Sequence, residues 1–77
     1  MTNTKILEAK IKESGLKKSF IAEKLGIKYE ALRRRIQNEV SFLAREIPVI
    51  CDLLGIDSLM ERDSIFFADN VEENSTT

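Results

Sequence analysis

Apolar residues recur along the chain at intervals of three and four positions, the spacing that places side chains on one face of an α-helix. The pattern predicts five helices, at about residues 3–14, 18–25, 29–37, 44–54 and from 57 or 58 onward. With only one proline and three glycines, the chain keeps long uninterrupted stretches for helices, and no internal repeat is present. We therefore predict one all-α domain over residues 1–67, followed by an acidic tail at 68–77 that we expect to be disordered.

Polar residues and a proline mark where several of these helices begin. Asn3 or the residue after it has the side chain to cap the first helix. Pro48 fits only the first turn of a helix, because later turns need the amide hydrogen that proline lacks. We therefore expect the fourth helix to begin near Arg45. Ser58 and Glu61 have the spacing of a capping box at the start of the fifth helix.

The segment 16–38 contains two short predicted helices joined by a tight turn. Gly26 supplies the permissive backbone that the turn needs, and Ile27 is expected to fill the core between the helices. The inward-facing residues of the two helices are predicted to be Ile21, Ala22, Leu25, Leu32 and Ile36. The outward face of the second helix would present Tyr29, Glu30, Arg33, Arg34 and Gln37.

Charged residues divide the chain into a basic and an acidic part. Residues 1–51 hold eleven lysines and arginines and six acids, a net charge of +5. Residues 52–77 hold one arginine and seven acids, a net charge of −6. The overall charge of −1 therefore conceals a basic segment. Two interpretations follow from charge alone: a surface for a polyanion such as nucleic acid, or a solvated surface with an acidic tail.

The residues that enzymes and metal sites rely on are scarce. The chain has no histidine, no glycine-rich phosphate loop and no metal-ligand spacing. Cys51, the single cysteine, lies on an apolar stripe and is expected to be a core residue. We therefore expect no catalytic residue, no metal and no cofactor. The absence of a disulfide and of a run of about 20 apolar residues predicts a cytoplasmic protein that does not span a membrane.

The spacing of the central apolar residues resembles a known DNA-binding family. The series Ala22, Leu25, Gly26, Ile27 and Leu32 is similar to the helix-turn-helix of phage Cro and repressor proteins. With the flanking helices, the resemblance covers about residues 4–60. The ending Ile-Phe-Phe-Ala after the fifth helix resembles small Cro-like proteins of phages of Gram-positive bacteria. The resemblance implies a five-helix, lambda-repressor-like fold in a protein of a bacterial host cell.

The family lays the second helix of the motif in the major groove of DNA. By resemblance, the positions that face base edges are Tyr29, Glu30 and Arg34, with Arg33 beside them. Arg34 would pair with guanine and Glu30 with a cytosine amino group. Two alternatives remain open at this stage: the arginine run is only a solvated helix face, or the Tyr29 ring packs on a neighbouring helix.

Phosphate contacts are expected around the reading helix. The candidates are Lys17, Lys18, Lys28, Arg35, Asn38 and Ser41. Lys17 and Lys28 stand where the family usually has serine or threonine caps, and losing a capping oxygen costs about 1 kcal/mol per helix. That cost suggests that the two lysines serve a polyanion. Lys18 stands where the family often has glutamine, so it supplies charge without the same geometry.

The resemblance implies a repressor of a lysis/lysogeny switch that binds double-stranded operator DNA as a homodimer. The expected dimer or partner contacts are Leu59, Ile65, Phe66 and Phe67. The triplet 65–67 has two possible roles: a flap that closes the core, or a dimer contact. An alternative function is a modulator of repression or antirepressor, which would bind the opposing phage repressor instead of acting alone on DNA.

Overall fold

The computed structural model describes residues 1–68, which form five helices and no strand. The helices are α1 (Thr4–Ser14), α2 (Lys18–Leu25), α3 (Tyr29–Ile36), α4 (Glu46–Leu54) and α5 (Leu59–Phe66). The prediction of an all-α fold with five helices is confirmed. Apart from Ala68, the predicted tail lies outside the described residues. Within residues 1–68, no helix is long and apolar enough to cross a membrane.

The helix boundaries follow from the capping residues and the proline. The Asn3 side chain accepts a hydrogen bond from the amide of Ile6 at 3.1 Å and caps α1. The Ser58 side chain accepts from the amide of Glu61 at 3.1 Å and caps α5. Pro48 is the third residue of α4, so the predicted late start of this helix is confirmed. In its first turn, proline removes no helical hydrogen bond.

Each of the five helices contributes to a single core. The fully buried aliphatic residues are Leu7, Ile21, Leu32, Ile36, Ile50 and Ile65. Burying each such side chain stabilises the fold by about 1.5–3 kcal/mol relative to exposure. Cys51 is buried on the same stripe, as predicted, and desolvation raises the pKa of its thiol. The thiol is therefore a packing group within this core.

The apolar triplet at the end of α5 closes the core with two of its three residues. Ile65 is 0% exposed and Phe66 is 3% exposed. The Phe66 ring meets the ring of Phe42 edge-on, with centroids 5.2 Å apart. Phe67 remains 50% exposed. Of the two roles left open by the sequence, the core flap therefore holds for Ile65 and Phe66, and neither is available to a partner in this conformation.

The two ends of the described chain meet beside the end of α3. The amide of Ala68 donates to the carbonyl of Met1 at 3.1 Å. The amide of the next residue, Thr2, donates to the Asn38 side-chain oxygen at 3.1 Å. Asn38 adopts a left-handed backbone, with φ of 69°, two residues after the last residue of α3. Ala68, the last described residue, is therefore connected through Met1 and Thr2 to the segment that follows α3.

Candidate functional site

The turn between α2 and α3 fixes the relative orientation of the two helices. Gly26 adopts φ of 74°, a left-handed conformation that glycine reaches without strain. The amide of Ile27 then donates to the carbonyl of Ala22 at 3.0 Å, and the Ile27 side chain packs partly buried against the core. These contacts hold α3 against α2 and leave one side of α3 facing solvent.

A lysine stands at the N-cap of both α2 and α3. Lys17 and Lys28 have extended backbones, with ψ of 145° and 156°, and neither side chain makes a capping hydrogen bond. Both lysines are exposed. Because helix N-termini carry free amide hydrogens and partial positive charge, an anion is stabilised there and a lysine is not. The start of each of these two helices therefore combines the charge of a lysine side chain with the partial positive charge of the helix N-terminus.

The outward face of α3 carries an unpaired arginine and an exposed tyrosine. Tyr29 is 50% exposed, so its ring is not packed into the core. Arg34 is exposed, and its guanidinium has no hydrogen-bond or ion-pair partner within residues 1–68. We call Lys17, Lys28, Arg33 and Arg34 the basic face.

Arg33 is paired with Glu30 on the same face. The guanidinium donates to both carboxylate oxygens, from Nε at 3.0 Å and from Nη2 at 3.3 Å. These hydrogen bonds and the charge of Arg33 hold the pKa of Glu30 below its usual value. The pKa of Arg33 is raised for the same reasons. In the free protein, two donor groups of Arg33 and both carboxylate oxygens of Glu30 are therefore engaged with each other.

Arg35, a predicted phosphate contact, is engaged within the protein and does not belong to the basic face. Its Nε donates to the Oε1 oxygen of Glu46 at 2.7 Å, and its Nη1 donates to the Ala31 carbonyl at 3.2 Å. The Arg35 side chain is 14% exposed and that of Glu46 is 1% exposed. Consecutive helical residues point about 100° apart, so Arg35 faces α4 while Arg33 and Arg34 face solvent.

Two further phosphate candidates are engaged within the protein. Lys18 forms an ion pair with Glu8 on α1, with Nζ 3.0 Å from Oε1. The Asn38 side-chain oxygen accepts from the N-terminal segment, as described above. Ser41 is exposed in the loop before α4. The predicted DNA contacts that are exposed and make no side-chain hydrogen bond or ion pair within residues 1–68 are Lys17, Lys28, Tyr29, Arg34 and Ser41.

Glu46 supports α3 from within the protein, and the sequence reasoning missed this role. Besides Arg35, its Oε1 oxygen accepts from the amide of Leu43 at 2.9 Å. It therefore links α3 to the start of α4 and to the loop between them. A signal was present in the sequence: Glu46 is an acid between the apolar residues Phe42 and Ile47, where an unpaired charge would be costly.

An apolar groove lies beside α4 and α5. It has a volume of about 320 Å³ and is lined by Phe42, Ala44, Ile47, Pro48, Arg62 and Phe67. The Arg62 guanidinium stacks over the Phe67 ring, 5.9 Å from its centroid. A neighbouring cleft of about 240 Å³ shares Pro48 and Arg62 and includes Leu59, which is 69% exposed. Of the predicted partner contacts, Phe67 is thus accessible at this groove and Leu59 at the neighbouring cleft.

The described residues hold no group of three or more cysteines or acids that could bind a metal ion. Comparisons of the chain with protein-family models, with curated proteins and with solved structures give no significant match. The case for a function therefore depends on the geometry of the basic face and of the groove.

Proposed function

We propose that the chain is a sequence-specific DNA-binding transcriptional regulator of the helix-turn-helix type, with α3 in the major groove. One observation carries the proposal: α3 is locked to α2 by a tight turn and presents Arg34 to solvent without a partner among residues 1–68. A rigid helix with an exposed, unpaired arginine suits the bidentate recognition of guanine. By the resemblance described above, the regulator is a Cro-like repressor of a phage switch.

The lysines at the helix starts are proposed to contact phosphates. Neither Lys17 nor Lys28 caps its helix, so their contribution to folding is smaller than that of a serine or threonine. A phosphate at either position would accept hydrogen bonds from the free amides and would also neutralise the charge of the lysine. Phosphate contacts of this kind set the position of a protein on DNA and make its affinity depend on salt.

Replacing Lys17 by serine tests this proposal, because stability and DNA affinity should change in opposite directions. We expect Lys17→Ser to raise the free energy of unfolding by about 0.5–2 kcal/mol, since serine caps α2. The same change should weaken binding to all duplexes alike and reduce the slope of log affinity against log salt by about 1. Urea unfolding and electrophoretic mobility shift over a salt series measure the two effects.

Lys12→Ser is the matched control for that experiment. Lys12 is exposed on α1, away from the buried stripe of that helix, and it occupies no N-cap. We expect Lys12→Ser to leave the slope of log affinity against log salt nearly unchanged. If Lys17→Ser and Lys12→Ser gave the same slope as the parent, the proposed phosphate contact at α2 would be refuted.

We further propose that the regulator acts as a homodimer through the groove beside α4 and α5. Phe67, which is 50% exposed, lines this groove, and Leu59, which is 69% exposed, lines the neighbouring cleft that shares Pro48 and Arg62 with it. Two half-sites about one helical turn of DNA apart would then match the two-fold axis.

Phe67→Glu should weaken this dimer at least about tenfold, because a buried aromatic ring contributes roughly 1.5–3 kcal/mol. Sedimentation equilibrium without DNA measures the effect. Phe20→Glu is the control, since Phe20 is a partly exposed phenylalanine on α2 that does not line the groove. Equal dissociation constants for the two variants would contradict the assignment of the groove to the dimer.

The same groove favours a second candidate function. An exposed apolar groove on a small domain also fits a contact with the opposing phage repressor, as expected of an antirepressor. Size-exclusion chromatography of the two proteins together separates the candidates. A stable heterocomplex, with no DNA binding by the isolated chain, would replace the first proposal by the second.

A further inference from the structure

We propose that Glu30 is a positioning residue, which holds the Arg33 guanidinium so that its open edge reads a guanine instead of contacting phosphate. This role rests on the proposed function, in which α3 lies in the major groove, and it adds a second guanine-reading arginine to Arg34. It also changes the role expected for Glu30, from a direct contact with cytosine to a contact with a base-reading side chain.

The pairing with Glu30 occupies one edge of the Arg33 guanidinium and leaves another edge open. Nε donates to Oε1 and Nη2 donates to Oε2, which uses two of the five N–H groups of the arginine. Nη1 makes no hydrogen bond within residues 1–68. One donor on Nη1 and the second donor on Nη2 form a parallel pair, the arrangement that matches the O6 and N7 acceptors of guanine.

The helix sets the direction of this pair. Glu30 lies in the first turn of α3 and Arg33 follows three residues later, so the two side chains are neighbours on the helix surface. The pair is exposed, with 65% of the Glu30 side chain and 45% of the Arg33 side chain open to solvent. Exposed pairs add little to folding stability. Arg33 and Arg34 point about 100° apart, so they would meet different base pairs.

The charge of the pair favours a base over a phosphate. Hydrogen bonds from Arg33 and its charge lower the pKa of Glu30, which keeps the carboxylate ionised beside the guanidinium. The carboxylate offsets the charge of Arg33 and would repel a phosphate oxygen brought to the same guanidinium. The edge of guanine offers two acceptors without a net charge, so it meets no such repulsion. The pair therefore suits a base edge.

Nuclear magnetic resonance on the free protein tests the positioning without DNA. We expect Glu30→Ala to speed the exchange of the Arg33 Nε hydrogen with water about two- to fivefold, because the exposed pair is lost, and to leave that of Arg34 unchanged. Glu39→Ala is the matched control. Glu30 raises the pKa of Arg33 through hydrogen bonds and charge, whereas Glu39 raises it through charge alone. Equal exchange of the Arg33 hydrogen in Glu30→Ala and Glu39→Ala would overturn the positioning.

Binding measurements test the choice of a base over a phosphate. We expect Glu30→Ala to bind a mixed-sequence duplex about two- to tenfold more tightly at low salt, with a slope of log affinity against log salt steeper by about 1, because the released Arg33 then contacts phosphate. Discrimination in favour of an operator selected from a random library should fall about two- to fivefold, since the guanidinium is no longer preorganised. Glu39→Ala should leave discrimination unchanged. Unchanged discrimination in Glu30→Ala would overturn the proposal.

A double-mutant cycle separates positioning from direct base reading by Glu30. If Glu30 acts through Arg33, Glu30→Ala should reduce discrimination in the parent and leave it unchanged in Arg33→Ala. An equal loss in both backgrounds would make Glu30 a direct base contact and overturn the positioning role. Faster exchange in Glu30→Ala, with no DNA binding by the parent or any variant, would support the fixed orientation of Arg33 and refute both the guanine contact and the proposed function.

Discussion

Glu46→Ala should lower the free energy of unfolding by about 3–5 kcal/mol, because it leaves Arg35 as a charge without its partner in a largely buried position. Both side chains are withdrawn from water, with Glu46 1% and Arg35 14% exposed. The change also removes the acceptor of the Leu43 amide, which begins the turn into α4. A neutral isostere, Glu46→Gln, keeps the shape and should cost less than alanine.

Urea unfolding followed by circular dichroism measures the effect. Glu30→Ala is the matched control, since Glu30 also pairs with an arginine of α3 but the pair is solvent-exposed. Exposed ion pairs contribute little to stability, so this variant should unfold nearly like the parent. Replacing both buried partners, with Arg35→Met and Glu46→Leu, should recover much of the loss. If Glu46→Ala were no less stable than Glu30→Ala, the buried pair would have no stabilising role.

Local signals predicted the architecture well because each depends on a few neighbouring residues. Asn3 and Ser58 cap helices where the sequence indicated, and Pro48 sets the start of α4. Gly26 adopts a left-handed backbone at the turn between α2 and α3, where the sequence indicated that glycine is needed. In each case, the physical cause is one hydrogen bond or one backbone dihedral angle. The residues involved lie within four positions of each other in the sequence.

Contacts between distant residues could not be predicted in this way. The arginine run 33–35 reads as one basic patch, yet Arg35 pairs with Glu46 eleven positions later. Lys18 likewise pairs with Glu8 across two helices. Which charged residues pair depends on how the helices pack, and a linear pattern does not contain that information. The two pairings engage Arg35 and Lys18 within the protein, whereas the Arg34 guanidinium has no hydrogen-bond or ion-pair partner within residues 1–68.

Arg34→Ala should reduce discrimination between an operator and mixed-sequence DNA by about 1–3 kcal/mol, or roughly 5- to 150-fold in relative affinity. The reason is geometric, because the guanidinium provides two parallel donors in the spacing of the guanine O6 and N7 acceptors. Arg33 is less available for this role while its Nε and Nη2 groups donate to Glu30. An operator is first selected from a random duplex library, and competition binding then measures the ratio of affinities.

Arg34→Lys separates base reading from simple attraction to phosphate. Lysine retains the positive charge but lacks the planar pair of donors, so it should restore general affinity and not discrimination. Lys12→Ala, an exposed cation on α1, should leave discrimination unchanged. If Arg34→Lys discriminated as well as the parent, charge alone would explain binding, and Arg34 would be a phosphate contact. If Arg34→Ala bound and discriminated like the parent, α3 would not be the reading helix. Arg34 has the only guanidinium of α3 without a hydrogen-bond or ion-pair partner within residues 1–68, and that group would then contribute nothing to recognition.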